Sequence, residues 1–514
     1  MIAAARRAAG DGSNRAAITV SIMLATVMNS LDTTIANVAL PHIQGSVSAS
    51  AEQITWVLTS YIVSAAIMTP LTGFLADKIG RKMVFLISIA GFTAASVLCG
   101  VANSLVEIVL FRLLQGVFGA ALIPLSQAVL LDINPPEKHG QAMAVWGAGA
   151  VLGPILGPAL GGWLTDNLNW RWVFFINLPI GVLAFAGVMF FLSEKRAADQ
   201  KRFDFLGFAS LALAIGAFQM LLDRGPSQDW FASPEVWTYL IVCVISLWVL
   251  CVQTATAARP FVERGLLADP NFLTCSIFGF FIGILLFSTL ALLPPMMQTL
   301  LGYPVAFTGI VTMPRGVGSI IAMFLVGQLI GRVNTKLILL VGLTASAVAT
   351  WQMSQFSLGM DTRLIIMSGF LSGIGTGLIF VPLSTIAFAT VKPEYRTQGA
   401  GLFTLIRNIG SSAGISIMQA RFVDGVEIHH SAMVEHARPD NPLYQAYLGA
   451  PLGFDTQAGL AALNGMITRQ ASMLSYVDDF RLMLVITVLC APLLLLMRTP
   501  KKKTGGEDLH VAVD

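Results

Sequence analysis

Two ionisable side chains that could take part in proton transfer lie inside apolar stretches of this sequence. Asp32 lies in the segment MNSLDTTIANVALP, and Arg112 lies in IVLFRLLQG. An ionisable group inside such a stretch is costly to bury and usually marks a functional site. Burial favours the neutral form of a carboxyl group and a nearby cation favours its charged form, so the pair can switch protonation when its surroundings change. A static ion pair that only fixes helix packing is the alternative interpretation.

The elements that must position these two residues are membrane helices. Of the 514 residues, 55% are hydrophobic and only 11% are charged, whereas a typical soluble domain has about 25% charged residues. This composition excludes a soluble enzyme, a disordered protein and a nucleic-acid-binding protein. The apolar runs are unbroken and lack the alternation of barrel strands. The predicted fold class is therefore an all-α membrane protein.

Fourteen apolar runs are long enough to cross a bilayer, which takes about 20 helical residues. Their predicted limits are 17–41, 53–76, 82–102, 105–131, 140–163, 173–192, 203–222, 235–256, 272–299, 305–331, 336–354, 363–390, 397–421 and 478–498. Within these limits Asp32 and Arg112 lie at similar depths, about 10–12 Å below the outer surface. A direct or near contact between them is expected.

The positions of Lys and Arg predict the orientation of the chain in the membrane. With the N-terminus in the cytoplasm, 21 of the 31 Lys and Arg residues fall on the cytoplasmic side and 7 on the outer side. An even number of helices then places both termini in the cytoplasm. No Walker A motif is present, so a proton gradient is expected to supply the energy without a cofactor.

An internal repeat predicts how the helices are organised. The turn that begins at Gly73 recurs 254 residues later at Gly327. At an offset of 257 residues, a second set of five residues recurs: Pro136, Glu137, Gln141, Gly153 and Gly157 match Pro393, Glu394, Gln398, Gly410 and Gly414. We therefore predict a six-helix bundle over 1–192, two inserted helices over 193–260, and a second six-helix bundle over 261–514 with a long outer loop at about 422–477. Repeats of this kind are typical of secondary transporters whose site lies between the halves.

Two glycine-containing motifs are candidates for conformational change. The turn GFLADKIGRK contributes Gly73, Asp77, Gly80, Arg81 and Lys82. This turn is either a latch that opens during transport or an ordinary charged cytoplasmic turn. In the fifth span, glycines recur every four residues and two prolines can kink the helix; these residues are Gly149, Gly153, Gly157 and Gly161, with Pro154 and Pro158. Ordinary small-residue packing is the alternative for this face.

The candidate substrate-cavity residues combine polar groups with polarisable apolar ones. They are Asn37, Gln115, Trp146, Met296, Arg315 and Arg407, with Phe281, Phe287 and Met297 as further apolar lining. Arg315 and Arg407 either cap helix carbonyls or meet an anionic part of a substrate. The only acids between 270 and 421 are Asp361 and Glu394, both in predicted loops. His429 and His430 are expected to be solvated, and no metal site is predicted.

Several of these motifs resemble those of the major facilitator superfamily, and within it the fourteen-helix drug:proton antiporters of the EmrB/QacA type, EmrB in particular. The resemblance rests on LDTTIANVALP (31–41), GFLADKIGRK (73–82), FRLLQGVFGAALIPLSQ (111–127), GAGAVLGPILGPALGG (147–162), WRWVFFINLPIG (170–181) and LDRG (222–225). It implies proton-coupled multidrug efflux across a bacterial inner membrane, with Arg112 in proton coupling. It also implies a periplasmic adaptor protein and an outer-membrane channel that dock near the outer loop.

One departure from the family pattern bears on the substrate. Some relatives that export divalent cations carry an acid in the tenth helix, where this chain has Arg315. This difference favours neutral or weakly acidic hydrophobic compounds as substrates.

Three other functions stay open or are disfavoured at this stage. An exporter of a specific lipid, siderophore or metabolite fits the same motifs. A proton-coupled nutrient importer is disfavoured by the Gly/Pro motif of the fifth span. A membrane sensor or enzyme would need an output domain or a buried nucleophile with a general base, and no predicted span contains a histidine.

Overall fold

The structure is a computed structural model. It describes residues 2–50, 53–135, 138–193, 203–258, 260–330, 332–392, 395–437 and 456–497. Four of the repeat residues (Pro136, Glu137, Pro393 and Glu394), the middle of the predicted outer loop and the basic C-terminal segment lie outside the described residues.

The chain is helical throughout its described part, and no strand occurs there apart from one isolated bridge between Ile330 and Val333. The N-terminal group of helices comprises α1 (Ile2–Val47), α2 (Trp56–Met68), α3 (Leu71–Ile79), α4 (Arg81–Val101), α5 (Leu105–Gly119), α6 (Leu122–Ile133), α7 (His139–Asn167), α8 (Trp172–Phe175) and α9 (Asn177–Phe191). Two helices follow, α10 (Phe205–Arg224) and α11 (Pro234–Thr256).

The C-terminal group of helices begins after these two. It comprises α12 (Arg264–Leu267), α13 (Pro270–Pro295) with a π-helical turn (Met296–Leu300), α14 (Val305–Leu329), α15 (Thr335–Met353), α16 (Thr362–Ala387), α17 (Arg396–His436), α18 (Gln457–Leu489) and α19 (Leu493–Leu496). The predicted all-α membrane fold is thus observed.

Local sequence explains where several helices break. The second predicted span is divided into the segments Gln53–Met68 and Leu71–Ile79, which are bent by 56°. Pro70 lies at this break, where its missing N–H and fixed φ disfavour a continuous helix. Gly80 then joins α3 to α4 with φ of 92°, a backbone conformation that side chains other than glycine rarely adopt.

Twelve helices of the described chain are long and apolar enough to cross a membrane, or thirteen if the bent pair counts as one span. The sequence predicts fourteen, and the difference lies in the span at 397–421. This segment is helical within α17, but α17 is not apolar enough to be counted among the helices above. Arg407, Asn408, Ser411 and Ser412 interrupt its apolar surface.

The segment predicted as an outer loop at about 422–477 contains the end of one helix and the beginning of the next. Helix α17 continues 15 residues past 421, and α18 begins at Gln457, well before the predicted start of the last span at 478. Only the segment between Ala437 and Thr456 is left to connect the two helices. The polar faces of α17 and α18 gave these segments the composition of a loop.

Many of the packed helix pairs are far apart along the chain. Helix α1 packs on α7 and α9, and α13 packs on α17. Helices α10 and α11 pack on each other, and α10 also contacts α2 and α17. The N-terminal and C-terminal groups meet where α7 packs on α14 and where α17 packs on α3 and α6.

Candidate functional site

A buried ion pair joins α1 to α5. Arg112 Nη1 lies 2.6 Å from Asp32 Oδ2, and the two side chains are 1% and 0% exposed. Breaking a buried pair from one side leaves an uncompensated charge, which is costly. Any reaction that neutralises one partner must therefore change the contacts of the other.

The carboxylate of Asp32 is fully engaged. Its Oδ1 accepts hydrogen bonds from Gln115 Nε2 at 2.9 Å and from Asn177 Nδ2 at 3.0 Å. Arg112 also donates to Gln115 Oε1 at 2.8 Å and, through Nε, to Val57 O at 3.1 Å. This network links α1, α2, α5 and α9 through one carboxylate, so the charge state of Asp32 bears on the packing of four helices.

Aromatic and polar groups surround the network. The guanidinium carbon of Arg112 lies 4.4 Å from the ring centre of Tyr61, a geometry that stabilises a cation. Asn29 Nδ2 donates to Tyr61 Oη at 3.1 Å, and Asn177 Nδ2 also donates to Ser96 Oγ at 2.9 Å. Sequence reasoning missed Tyr61, Ser96 and Asn177, although a lone asparagine in the apolar run FFINLPIG was a signal for the last of these.

Glycines of α7 allow it to approach α1 closely beside this network. A Cβ on Gly153 would lie 2.3 Å from the backbone of Ser30, and one on Gly157 would lie 2.1 Å from Thr34 Oγ1. Thr34 Oγ1 donates to Gly153 O at 3.0 Å. On the next turn, a Cβ on Gly161 would lie 2.9 Å from Ile35 Cγ1. Because α1 carries Asp32, these glycines set the distance between the ion pair and α7.

The two prolines of the predicted hinge lie inside this same helix. Pro154 and Pro158 are half-buried and are followed by further helical turns. Each removes one backbone N–H from the helix ladder, which makes α7 easier to bend here.

The charged turn between α3 and α4 connects the two groups of helices. Arg81 binds Asp132 on α6 through a hydrogen-bonded ion pair, and Arg396 on α17 lies 3.6 Å from the other oxygen of Asp132. Lys82 donates to Met189 O at 2.8 Å, while Asp77 is half-buried at the end of α3. Sequence reasoning missed Asp132 and Arg396.

A close backbone contact lies beside this turn. A Cβ on Gly73 would come within 2.9 Å of the Cα of Gln398, which belongs to α17. The cytoplasmic ends of α3 and α17 are therefore in tight contact.

The predicted cavity residues fall into three environments. Gln115 is fully buried in the ion-pair network, and Met296 is fully buried in the π-helical turn, so neither lines an open cavity. Trp146 is 1% exposed, stacks on Phe380 at 5.5 Å and donates to Ser126 Oγ at 2.8 Å. Asn37 is exposed on α1.

The two arginines of the C-terminal group lie near its centre. Arg315 is 8% exposed and Arg407 is half-buried. The guanidinium carbon of Arg407 lies 5.4 Å from the ring centre of Phe380. Neither arginine forms an ion pair within the described chain.

The outer histidines are paired side chains on helices. His429 contacts Asp478 at 2.8 Å, and His430 contacts Asn464 at 2.9 Å. In the described part of the chain, no group of three His, Cys, Asp or Glu side chains could hold a metal ion.

Comparison with known proteins places the chain in a family. The sequence profile of the Major Facilitator Superfamily matches residues 22–415. The chain is 34% identical over 503 residues to the fatty acid resistance protein FarB of Neisseria gonorrhoeae, which covers 96% of this chain and 98% of that protein. It is also 34% identical, with the same coverage, to the multidrug export protein EmrB of Escherichia coli.

A solved structure supports the same fold. The proton:xylose symporter XylE superimposes with a TM-score of 0.58, with 13% sequence identity, over 92% of this chain and 95% of that one. The chain therefore belongs to the major facilitator superfamily of membrane transporters, and the resemblance to its EmrB type is confirmed.

Proposed function

We propose that this chain is a proton-coupled exporter that moves hydrophobic toxic compounds across the bacterial inner membrane by alternating access. The buried ion pair between Asp32 and Arg112 carries the proposal, because an ionisable group in this position can bind a proton and alter helix packing. The similarity to a multidrug export protein and to a fatty acid resistance protein supports export as the direction. The proton gradient supplies the energy, and no cofactor is required.

The proton acts by changing the contacts of Asp32. Protonation removes the negative charge that faces Arg112 Nη1, while Arg112 keeps Val57 O and Gln115 Oε1 as acceptors. The ion pair then weakens without leaving the guanidinium unsatisfied. Because Asn177 also donates to the carboxylate, α1 becomes less firmly held to both α5 and α9. A ligand that prefers one of the resulting packings shifts the population towards it.

Contacts at the two ends of the bundle support a conformation closed towards the cytoplasm. On that side, Arg396 reaches Asp132 and Gln398 packs on Gly73. Towards the outside, Thr33 and Asn37 are exposed on α1. Exposed polar side chains inside a membrane-spanning helix are more stable in contact with water than with lipid. We therefore infer that the protein is open towards the outside.

The predicted topology fits this proposal. We infer that α17 also crosses the membrane, because Ala400, Phe403 and Leu405 are buried and the helix packs along α13. The bent pair and α17 then complete fourteen spans. We propose bundles over 1–192 and 261–514 with α10 and α11 inserted between them, and both termini in the cytoplasm.

The outer ends of α17 and α18 are the proposed docking site for a periplasmic adaptor protein, which in turn would contact an outer-membrane channel. Val423 and Ile428 are 56% and 65% exposed there, and the His429–Asp478 contact holds the two helices together. We expect Ile428→Asp to abolish resistance in cells while sparing transport in vesicles. Equal loss in both assays would indicate a folding role instead.

Proton movement in inverted vesicles tests the coupling. Respiration first acidifies the vesicle lumen, and a panel of hydrophobic compounds is then added. Compounds that are exchanged for protons should collapse the pH gradient with the wild type but not with Asp32→Asn. Asp166→Asn, at an exposed position on α7, is the matched control and should behave as the wild type. Unchanged proton-coupled export by Asp32→Asn would overturn the proposed mechanism.

A proton-coupled exporter of one specific lipid, siderophore or metabolite is the second candidate. The similarity to a fatty acid resistance protein favours a lipid-like substrate in this case. The same vesicle panel separates the two, because a specialised exporter would respond to one chemical class and a multidrug exporter to several.

A further inference from the structure

The C-terminal group of helices contains two arginines that have no counter-charge among the described residues. Arg315 on α14 and Arg407 on α17 form no ion pair with any described residue. The N-terminal group differs, since Arg112 there faces Asp32 at 2.6 Å. A buried cation is costly without an anion. An anionic ligand could supply the negative charge that the protein does not provide here.

Arg315 has a nitrogen without a partner inside the bundle. The side chain is 8% exposed, and Nη2 donates to Leu286 O on α13 at 3.2 Å. Nη1 is enclosed and makes no hydrogen bond. The contact with the Leu286 carbonyl therefore uses Nη2 and leaves Nη1 without an acceptor.

The guanidinium of Arg407 forms fewer hydrogen bonds with the described residues than that of Arg315. Its Nε is enclosed without a partner, and none of its guanidinium nitrogens donates a hydrogen bond to a described group. The side chain is half-buried and only Nε is fully enclosed, so its Nη atoms remain accessible. A guanidinium in the middle of a membrane bundle is far more stable facing a polar recess than facing lipid.

Helix α13 brings the two arginines to one level. A Cβ on Gly283 would lie 2.3 Å from Arg407 O, so α17 packs against this turn of α13. Arg315 reaches Leu286 O on the following turn of the same helix. The backbone of Arg407 and the guanidinium of Arg315 therefore contact α13 at positions three residues apart, which is slightly less than one helical turn.

Aromatic side chains lie beside this pair of charges. Phe380 lies under the Arg407 guanidinium at 5.4 Å and stacks on Trp146 of α7 at 5.5 Å. Phe281 and Phe287 are half-buried on α13. Arg407 thus lies next to aromatic side chains at the boundary between the two groups of helices.

We propose that Arg407 and Arg315 bind the anionic head group of an amphipathic exported compound, such as a carboxylate on an apolar chain, whose apolar part packs on the neighbouring aromatic rings. Guanidinium groups suit this role because they donate two parallel hydrogen bonds to a carboxylate. The inference rests on the proposed export function for its physiological meaning, but binding itself does not require a proton gradient.

Equilibrium binding with matched probes tests the site. The purified full chain is placed in nanodiscs of zwitterionic lipid and titrated with dansyl-labelled undecanoate and with its uncharged methyl ester. Arg407→Gln should weaken binding of the carboxylate by about 10- to 100-fold, the range expected for a lost hydrogen bond to a charged group, and should leave the ester within about twofold. Arg407→Lys should recover part of the loss. Arg363→Gln, at an exposed position in the same group of helices, should change neither affinity.

Two further measurements keep the test decisive if Arg407→Gln does not fold. Asn408→Asp adds a negative charge at an exposed position beside Arg407 and should weaken the carboxylate selectively. In the wild type, laurate should displace the dansyl probe far better than dodecyltrimethylammonium. Equal affinity of the wild type for the carboxylate and its ester, or equal losses for both probes in the variants, would overturn the proposed anion site.

Transport of the same probes separates failure of this inference from failure of the proposed function. If vesicles export the ester with proton exchange but Arg407→Gln weakens binding of the acid and the ester equally, export stands and the anion site is refuted. If nanodiscs show selective carboxylate binding but no compound collapses the pH gradient, the anion site stands and proton-coupled export is refuted.

Discussion

Asp223 accepts a hydrogen bond from Thr59 at 2.9 Å, and this contact fastens the outer end of α10 to α2. The preceding residue, Leu222, accepts a hydrogen bond from Ser416 of α17 at 2.6 Å. Adjacent residues of α10 therefore contact the N-terminal and the C-terminal groups of helices. Val57, which accepts the Arg112 Nε hydrogen bond, lies on the same helix as Thr59. Helix α10 thus contacts the helix whose backbone accepts a hydrogen bond from Arg112.

A double-mutant cycle tests the contact between Thr59 and Asp223. We expect Asp223→Ala to lower the free energy of unfolding by about 1–3 kcal/mol, because it leaves the buried hydroxyl of Thr59 unsatisfied. Thr59→Val should cost about 1 kcal/mol or less, because water can solvate the exposed Asp223 carboxylate. The double variant should lose less than the sum. Thermal unfolding in detergent measures this, with Thr238→Val, whose hydroxyl bonds only within its own helix, as the control. Strict additivity of the two losses would show that the residues act independently.

Stability and transport should separate at the Asp32–Arg112 pair. Arg112→Met leaves a buried carboxylate without its cation, and we expect it to lower the free energy of unfolding by about 3–5 kcal/mol. Adding Asp32→Asn removes the uncompensated charge and should restore most of that loss. Neither variant should show proton-coupled export, which unfolding curves and vesicle assays measure together. Transport by the double variant would show that the pair only supports packing.

The sequence was sufficient to locate the ion pair but not its surroundings. Asp32 and Arg112 could be paired because each is an isolated charge and their depths match. Asn177 and Tyr61 meet them only through the packing of α9 and α2, which helix spacing alone does not determine. Gln115 was predicted to line a cavity because it is polar, whereas the structure buries it on the carboxylate. A polar residue in an apolar run can therefore form a buried hydrogen bond within the protein as readily as it can contact a substrate.

Helix limits were least predictable where a helix leaves the bilayer. Apolar runs report the part of a helix inside hydrocarbon, and α17 and α18 continue beyond it with polar faces. The cytoplasmic contact around Asp132 was hidden for another reason. Its partners Arg81 and Arg396 come from distant parts of the chain, and each resembles an ordinary cytoplasmic charge that sets topology.

The approach of α7 to α1 should be sensitive to single methyl groups. At Gly153 a Cβ would lie 2.3 Å from the Ser30 backbone, which cannot move without shifting the helix that carries Asp32. We expect Gly153→Ala to reduce export by about tenfold or more and to destabilise the chain by about 1–3 kcal/mol. At Gly162 the nearest atom is 4.0 Å away, so Gly162→Ala is the matched control. Initial export rates in vesicles, at equal protein amounts, make the comparison. Equal rates for the two variants would contradict a role for the close approach.

The shared carboxylate of Asp132 should control opening towards the cytoplasm. It binds Arg81 within the N-terminal group and lies 3.6 Å from Arg396 of the C-terminal group. Arg396→Gln removes only the contact between groups, so we expect it to increase the inward-open population without unfolding the chain. The Arg396 and Asp132 side chains are 20% and 19% exposed, and their charged atoms lie 3.6 Å apart. We expect this contact to be worth about 1 kcal/mol, which predicts a population change of about fivefold. Distance measurements between spin labels at the cytoplasmic ends of α3 and α17 report that population, with Arg332→Gln, an exposed charge on the same side, as the control. If Arg396→Gln left the distance distribution unchanged, closure would rest on the Gly73–Gln398 packing alone, and Gly73→Ala would then be the substitution expected to open this side.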